Sequence, residues 1–113
     1  MEVEIAFTGV PVTSLATGRD FFERLFGRPA DVEVAADEVM WRVAETAWLY
    51  VVVDTVRAGR GLVALSVGDL AATLAELEGR GIRPVRTDEV GGGRKATMLD
   101  PDGNTVAIIA VPS

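Results

Sequence analysis

Acid-base or nucleophilic chemistry in this sequence would depend on carboxylates, lysine, tyrosine or hydroxyls, because the chain contains no histidine and no cysteine. Histidine is the only side chain that titrates near neutral pH without perturbation, and it is the commonest ligand of transition metals. The lack of cysteine excludes disulfides, thiolate catalysis and thiolate metal sites. No serine or threonine has a recognisable partner base, so the residue types do not indicate covalent catalysis.

The most specific local signal is the turn Asp100–Asn104, DPDGN, which precedes the last predicted strand, Thr105–Val111. Pro101 presets the backbone angle of the second turn position, and Gly103 supplies a positive φ. The strand that follows alternates without a carboxylate, histidine or cysteine. A strand of this composition is more typical of binding than of catalysis.

Bulk composition limits the function classes. The 113 residues carry a formal charge of −6, which argues against nucleic acid and anionic membranes because phosphate binding needs a basic surface. Hydrophobic residues make up 49% of the chain, which favours a subunit interface, and so a homodimer, or a lined cavity. The N-terminus, MEVEIAF, lacks a signal-peptide pattern and no apolar run reaches membrane-spanning length, so the cytoplasm is the expected location.

The chain reads as two copies of one unit within a single domain, 1–113. A shift of 55 residues places Val12 and Leu15 on Val67 and Leu70. Unit one then spans residues 1–53, a polar linker spans 54–60, and unit two spans 61–113.

Each unit has the order strand-helix-strand-strand-strand. Ser14 and Asp69 are predicted N-caps, and Gly27 is predicted to end the first helix. The predicted strands are Val3–Val12, Asp31–Val34, Val39–Val43, Ala47–Val53, Gly61–Val67, Pro84–Thr87, Arg94–Leu99 and Thr105–Val111. This order predicts an α+β fold in which two βαβββ units form a U-shaped mixed sheet, a cup with the helices outside.

Several motifs, in order along nearly the whole chain, resemble the vicinal oxygen chelate superfamily: glyoxalase I, the bleomycin-resistance proteins and the extradiol dioxygenases. The motifs are Val12–Leu15, Phe21–Gly27, Leu65–Leu70, Leu77–Ile82 and Asp100–Asn104. The resemblance implies paired βαβββ units around a U-shaped sheet, which is the architecture predicted above.

Metal-dependent members of that superfamily place a ligand on the first and last strand of each unit. Matching the motifs puts these four inward positions at Phe7, Val52, Leu62 and Ala107, with Tyr50 as the alternative to Val52 if the strand slips by two residues. None of the four side chains can donate a lone pair to a divalent cation. The sequence therefore predicts no metal and no cofactor, and it does not favour glyoxalase or dioxygenase activity.

Period-two alternation predicts which side chains line the cup. They are Phe7, Trp48, Tyr50, Val52, Leu62, Ala64, Ser66, Thr105 and Ala107, with Trp41 reaching the same space from the neighbouring strand. The aromatic residues either stack on a flat ligand or fill the cup as core. The stretch Gly91–Lys95, GGGRK, lacks nucleotide-binding spacing and indicates a hairpin turn or, alternatively, a flap with Arg94 reaching an anionic group.

The sequence thus predicts a metal-free protein that binds a small apolar or aromatic molecule in its cup, with a sequestration or antibiotic-resistance role and no catalytic residues. The alternative is a metal-independent lyase, isomerase or hydrolase of a secondary metabolite, which would need Tyr50 or a carboxylate such as Glu38, Glu45 or Asp54 in the cup. A third interpretation is a scaffold whose cup is filled by its own side chains.

Overall fold

Two capped helices organise the fold in a computed structural model that describes residues 1–111. Helix α1 (Leu15–Phe26) begins where the Ser14 hydroxyl accepts a hydrogen bond from the Thr17 amide at 3.3 Å, and it ends at Gly27, whose φ is +72°. Helix α2 (Leu70–Gly79) begins where the Asp69 carboxylate accepts from the Ala72 amide at 3.0 Å. The predicted caps are confirmed.

The strands are rich in β-branched and aromatic residues, and they form two four-stranded sheets. The strands are β1 (Ala6–Val12), β2 (Val32–Ala35), β3 (Glu38–Ala44), β4 (Ala47–Val53), β5 (Leu62–Ser66), β6 (Arg86–Val90), β7 (Gly93–Leu99) and β8 (Thr105–Ala110). The strand orders are β1-β4-β3-β2 and β5-β8-β7-β6, with β1 parallel to β4 and β5 parallel to β8. The predicted α+β class and the two βαβββ units are confirmed.

Two predicted strand boundaries are wrong. The first strand starts at Ala6 rather than Val3, and the sixth is Arg86–Val90 rather than Pro84–Thr87. The sixth strand lies further along the chain because it pairs residue by residue with β7 across a tight turn at Gly91 and Gly92, whose φ values are +55° and +80°. The stretch GGGRK is therefore a hairpin, one of the two predicted readings.

Each helix covers one face of its sheet, and the side chains between them form the core. Phe22 and Trp41 are both 0% exposed, and their ring centroids lie 6.4 Å apart. In unit two, Leu70 and Leu77 of α2 belong to the same buried cluster as Ile108 of β8. Neither helix within residues 1–111 is long and apolar enough to cross a membrane.

The turn between β7 and β8 joins the two units. Asn104 is 0% exposed; its side-chain amide donates to the Pro11 carbonyl of β1 at 2.7 Å, and its carbonyl oxygen accepts from the Gly61 amide at 2.7 Å. The Asp102 carboxylate accepts from the hydroxyl of Thr13 at 2.7 Å. We call Asn104, Asp102 and these three partners the inter-unit clasp.

Residues 54–60 lie between β4 and β5, where the linker was predicted. The exact unit boundaries and the single-domain assignment remain predictions. Strands β1 and β5 are each at the edge of a sheet, and no hydrogen-bonded ladder joins them within residues 1–111. The faces opposite the helices are consequently open in a single chain.

Candidate functional site

The face of the first sheet opposite α1, here called the open face of unit one, is apolar and aromatic. It carries Phe7, Gly9, Met40, Trp48, Tyr50 and Val52, as the strand registers show. Trp48 and Tyr50 are half-buried, whereas Phe7 is 57% exposed. The alternation predicted for β1 and β4 is therefore correct.

Tyr50 lies across Gly9, its direct neighbour on β1. A Cβ built at Gly9 would stand 2.4 Å from Cζ of the Tyr50 ring, so the ring occupies the space that a side chain at position 9 would need. Glycine in a strand often marks such a close approach. The glycine therefore sets the position of the only tyrosine of the chain.

The prediction that Trp41 reaches this face is wrong. Trp41 is opposite Leu49 in the β3–β4 register, and both side chains point toward α1. The indole is 0% exposed, packs 5.6 Å from the Phe26 ring, and donates to the carbonyl of Arg28 at 3.0 Å. Trp41 is therefore a satisfied core residue.

The structure also corrects the second inward position. In the β1–β4 ladder Gly9 is opposite Tyr50, and in the equivalent β5–β8 ladder Ala64 is opposite Ala107. The residue of unit one that matches Ala107 is therefore Tyr50 and not Val52, which is the slip by two residues left open in the sequence. The repeat shift is 55 residues for the first strands but 57 for the last ones.

The extra two residues lie in the β6–β7 hairpin. From the start of β3 at Glu38 to the row of Tyr50 there are two residues, whereas from the start of β7 at Gly93 to the row of Ala107 there are four. A longer hairpin in unit two thus moves every later residue out of the 55-residue repeat.

The inward positions do not fit a metal ion. Phe7, Tyr50, Leu62 and Ala107 offer one phenol oxygen and three hydrocarbon side chains, which is no donor set for a divalent cation. Within residues 1–111 no group of three or more carboxylates comes together as a metal site. The structure therefore provides no ligands for the chelate chemistry that metal-dependent superfamily members use.

The face of the second sheet opposite α2, the open face of unit two, is smaller and more polar. It carries Leu62, Ala64, Ser66, Lys95, Thr97, Thr105, Ala107 and Ile109. Seven residues, including Leu62, Lys95, Thr105 and Ala107, line a depression of about 260 Å³ on this side. Leu62 is 80% exposed, so no closed cup surrounds it within residues 1–111 of one chain.

Lys95 and Thr97 were missing from the predicted lining. The strand alternation could have found them, because they share the parity of Ile109 and Ala107 across the β7–β8 ladder. Arg94, which the flap hypothesis named, is opposite Ala110 and borders grooves against α2 on the other side of the sheet.

A second cavity, of about 400 Å³, lies between the units at the edge of β5. Its lining is mostly apolar and includes Leu25 and Phe26 of α1 and Leu77 of α2. Of the predicted site residues, only Ala64 and Ser66 contribute to it. This cavity belongs to the junction of the units, whereas the inward positions lie on the open faces.

The carboxylates with shifted pKa values stand away from the open faces. The Arg28 guanidinium donates two hydrogen bonds to Asp31, at 2.7 and 2.6 Å, and with the Arg42 amide it lowers the pKa of that carboxyl. The Arg57 amide lowers the pKa of Asp54 within its own turn. Both groups are held in their charged form by local bonds, which is typical of structural carboxylates.

Comparison with known proteins agrees with the fold and the open faces, which define a small α+β protein of paired βαβββ units. A family profile described as Glyoxalase/Bleomycin resistance protein/Dioxygenase superfamily matches residues 4–108. The chain belongs to this superfamily. The resemblance seen in the sequence is thereby confirmed.

Solved structures share this fold. A glyoxalase / bleomycin resistance protein from Catenulispora acidiphila DSM 44928 is 32% identical over 94% of this chain and 96% of its own, with a TM-score of 0.88. TnmS3, an antibiotic binding protein from Streptomyces sp. CB03234, is 24% identical over 96% and 95% of the chains, with a TM-score of 0.75. Lactoylglutathione lyase from Agrobacterium tumefaciens is 17% identical over 94% and 92%, with a TM-score of 0.72. The last two show the fold alone, and no curated protein matches the sequence.

Proposed function

We propose that this protein binds a small apolar or aromatic molecule on its open faces without a metal ion, and that it sequesters this molecule in a resistance role. The observation that carries the proposal is the chemistry of the inward positions. Phe7, Leu62 and Ala107 stand where metal-dependent relatives hold ligands, and Phe7 and Leu62 are 57% and 80% exposed. Exposed apolar groups at the centre of a site favour an apolar partner over a polar one.

The aromatic residues of unit one supply the contact area. Trp48 and Tyr50 are half-buried neighbours on β4, and their rings offer large surfaces with little loss of side-chain entropy on binding. Among the structural neighbours, TnmS3 is by its name an antibiotic binding protein. The likeness agrees with sequestration of a natural product.

A second copy of the chain is the proposed cover of these faces. Strands β1 and β5 each leave one edge unpaired within residues 1–111, and unpaired edges next to exposed apolar residues favour association. A second protomer placed against these edges closes a cup around the ligand. Sedimentation velocity should then give twice the chain mass of 12.0 kDa.

Leu62→Asp should shift this protein to the monomer, because it places a charge in the covered face. Val56→Asp is the matched control, since Val56 is 82% exposed in the linker and lies off both faces. A monomeric wild-type protein would contradict the dimer.

The binding proposal is tested with a neutral aromatic probe, N-phenyl-1-naphthylamine, whose emission rises in apolar surroundings. We expect a saturable rise, with one or two probe molecules per dimer, and displacement by hits from a melting-temperature screen of aromatic natural products. A probe that does not bind, together with a panel that leaves the melting temperature unchanged, would overturn the proposal.

The second candidate is a metal-independent enzyme, a lyase, isomerase or hydrolase of a secondary metabolite. It is favoured by one observation, the Tyr50 phenol at an inward position of unit one. Mass spectrometry of a bound hit separates the two candidates. Sequestration returns the molecule unchanged at stoichiometric yield, whereas catalysis converts an excess of it. A cytoplasmic location remains the expectation from the sequence, to be checked by cell fractionation.

A further inference from the structure

We propose that the open face of unit two binds an oxyanion of the ligand, such as a carboxylate, phenolate or sulfonate, with Lys95 as its charged partner. The inference rests on the proposed function and narrows it, because the ligand becomes an apolar or aromatic molecule with an acidic substituent. Lys95 is the only lysine of the sequence, and it borders the depression of about 260 Å³ next to Ile109.

The ammonium group of Lys95 has no partner within residues 1–111. It takes part in none of the ion pairs, which all involve arginines, and in no side-chain hydrogen bond there. The acid opposite it on β6 is Asp88, whose carboxylate is engaged by Arg86 at 2.9 Å. A half-buried cation beside an apolar depression, with its neighbouring acid already paired, is poised for an anion from outside.

Hydroxyl groups surround the same depression. Thr97 follows Lys95 on the same face of β7, and Thr105 lines the depression from β8. Neither hydroxyl donates to or accepts from another group of residues 1–111. Together they can complete the hydrogen bonds of an oxyanion held by the ammonium group.

Unit one cannot form such a site. The strand registers match Lys95 to Glu38, Thr97 to Met40 and Thr105 to Trp48. The chain carries a formal charge of −6, so it repels anions over long distances and its affinity for one requires a local cation. We therefore assign the apolar part of the ligand to aromatic surface and its acidic group to unit two.

Two fluorescent probes test the assignment. 8-Anilino-1-naphthalenesulfonate differs from N-phenyl-1-naphthylamine by one sulfonate group. We expect the wild-type protein to bind the sulfonate more tightly, and Lys95→Met to weaken that binding roughly 10- to 100-fold, as expected for a charged hydrogen bond. Binding of the neutral probe should change by less than about twofold, since it has no charge to lose.

Two further variants serve as controls. Lys95→Arg keeps the charge and should retain the preference for the sulfonate. Arg94→Met removes the same charge from the opposite side of the same strand and should leave both probes unaffected. Equal losses in Arg94→Met and Lys95→Met would overturn the inference, because only net charge would then matter. Loss of the neutral probe in Lys95→Met would overturn it as well.

Acetylation of the wild-type protein gives a readout that needs no variant. The sulfonate probe should slow acetylation of Lys95 and leave the exposed amino group of Met1 unaffected, as measured by peptide mass spectrometry. Equal labelling with and without the probe would overturn the inference. If the neutral probe binds while the sulfonate gains nothing, only this inference fails; if neither probe binds, the proposed function fails first.

Discussion

The two units share one fold but differ on their open faces. Where unit one carries Trp48 and Tyr50, unit two carries Thr105 and Ala107 at the matching register positions. On the helix side the same strands remain apolar in both units, with Leu49 and Val51 in one and Val106 and Ile108 in the other. The helix side must fill a core, so the divergence is concentrated on the faces that are free to serve a ligand.

The turns that lead into the last strands differ as well. In unit one only Glu45 and Thr46 separate β3 from β4, whereas in unit two the five residues Asp100–Asn104 separate β7 from β8. The longer turn reaches unit one and forms the inter-unit clasp. The difference teaches that the second copy of a duplicated unit can supply the joint as well as part of the site.

The largest effect is expected at the clasp. Asn104→Ala removes the partners of the Pro11 carbonyl and the Gly61 amide at a buried position, which should lower the free energy of unfolding by about 2–4 kcal/mol in urea titrations. The equivalent turn of unit one has no such role, so Thr46→Ala should change stability by less than about 0.5 kcal/mol. Equal effects would break the comparison of the turns.

The next effect concerns the aromatic surface. Trp48→Thr gives unit one the residue that unit two has at the matching position, and it should weaken binding of N-phenyl-1-naphthylamine about tenfold, because a large buried ring is lost from the contact. Thr105→Val on the other face should change the affinity for this neutral probe by less than about twofold. Unchanged binding in Trp48→Thr would mean that the aromatic face is not the site.

A smaller effect is expected from Gly9→Ala, which gives β1 the methyl group that Ala64 has on β5. The new Cβ would displace the end of the Tyr50 side chain, which can swing toward solvent, so stability should fall by less than about 1 kcal/mol. Affinity for the neutral aromatic probe should fall severalfold. In a Tyr50→Ala background the same substitution should have no effect on binding, and a persisting loss would show that Gly9 acts otherwise.

The smallest effect is expected from Asp31→Asn, in a network that only unit one has. The pKa of Asp31 is lowered in the folded protein, so its contribution to stability is present above about pH 4 and is lost as the pH falls through the lower folded value. Because the pair is solvent-exposed, the loss at neutral pH should be under about 1 kcal/mol. Melting temperatures across the acid range should converge for variant and wild type, and a constant difference would contradict the prediction.

Local features of the fold could be predicted because they depend on neighbouring residues. The caps Ser14 and Asp69 need only an adjacent helix, and the alternation of β1, β4, β5 and β8 follows from the period of two. The superfamily could be recognised from short motifs for the same reason. These signals lie within a few residues of one another.

The remaining site features depend on register, which no local pattern specifies. Trp41 shares the parity of Val39 in β3, but only pairing with β4 shows that this parity faces α1. Tyr50 replaces Val52 because a longer hairpin changes the repeat, and Lys95 could be placed only once β7 was aligned with β8. A strand slip of two residues keeps the face and changes the neighbours.

The inter-unit clasp has a consequence for the order in which the molecule forms. The Pro11 carbonyl finds its partner 93 residues downstream, and the Gly61 amide finds the same side chain 43 residues downstream. During synthesis on the ribosome, the sheet of unit one can pair completely before this side chain emerges. The angle between the halves is therefore fixed in a late step, after nearly the whole chain has left the exit tunnel.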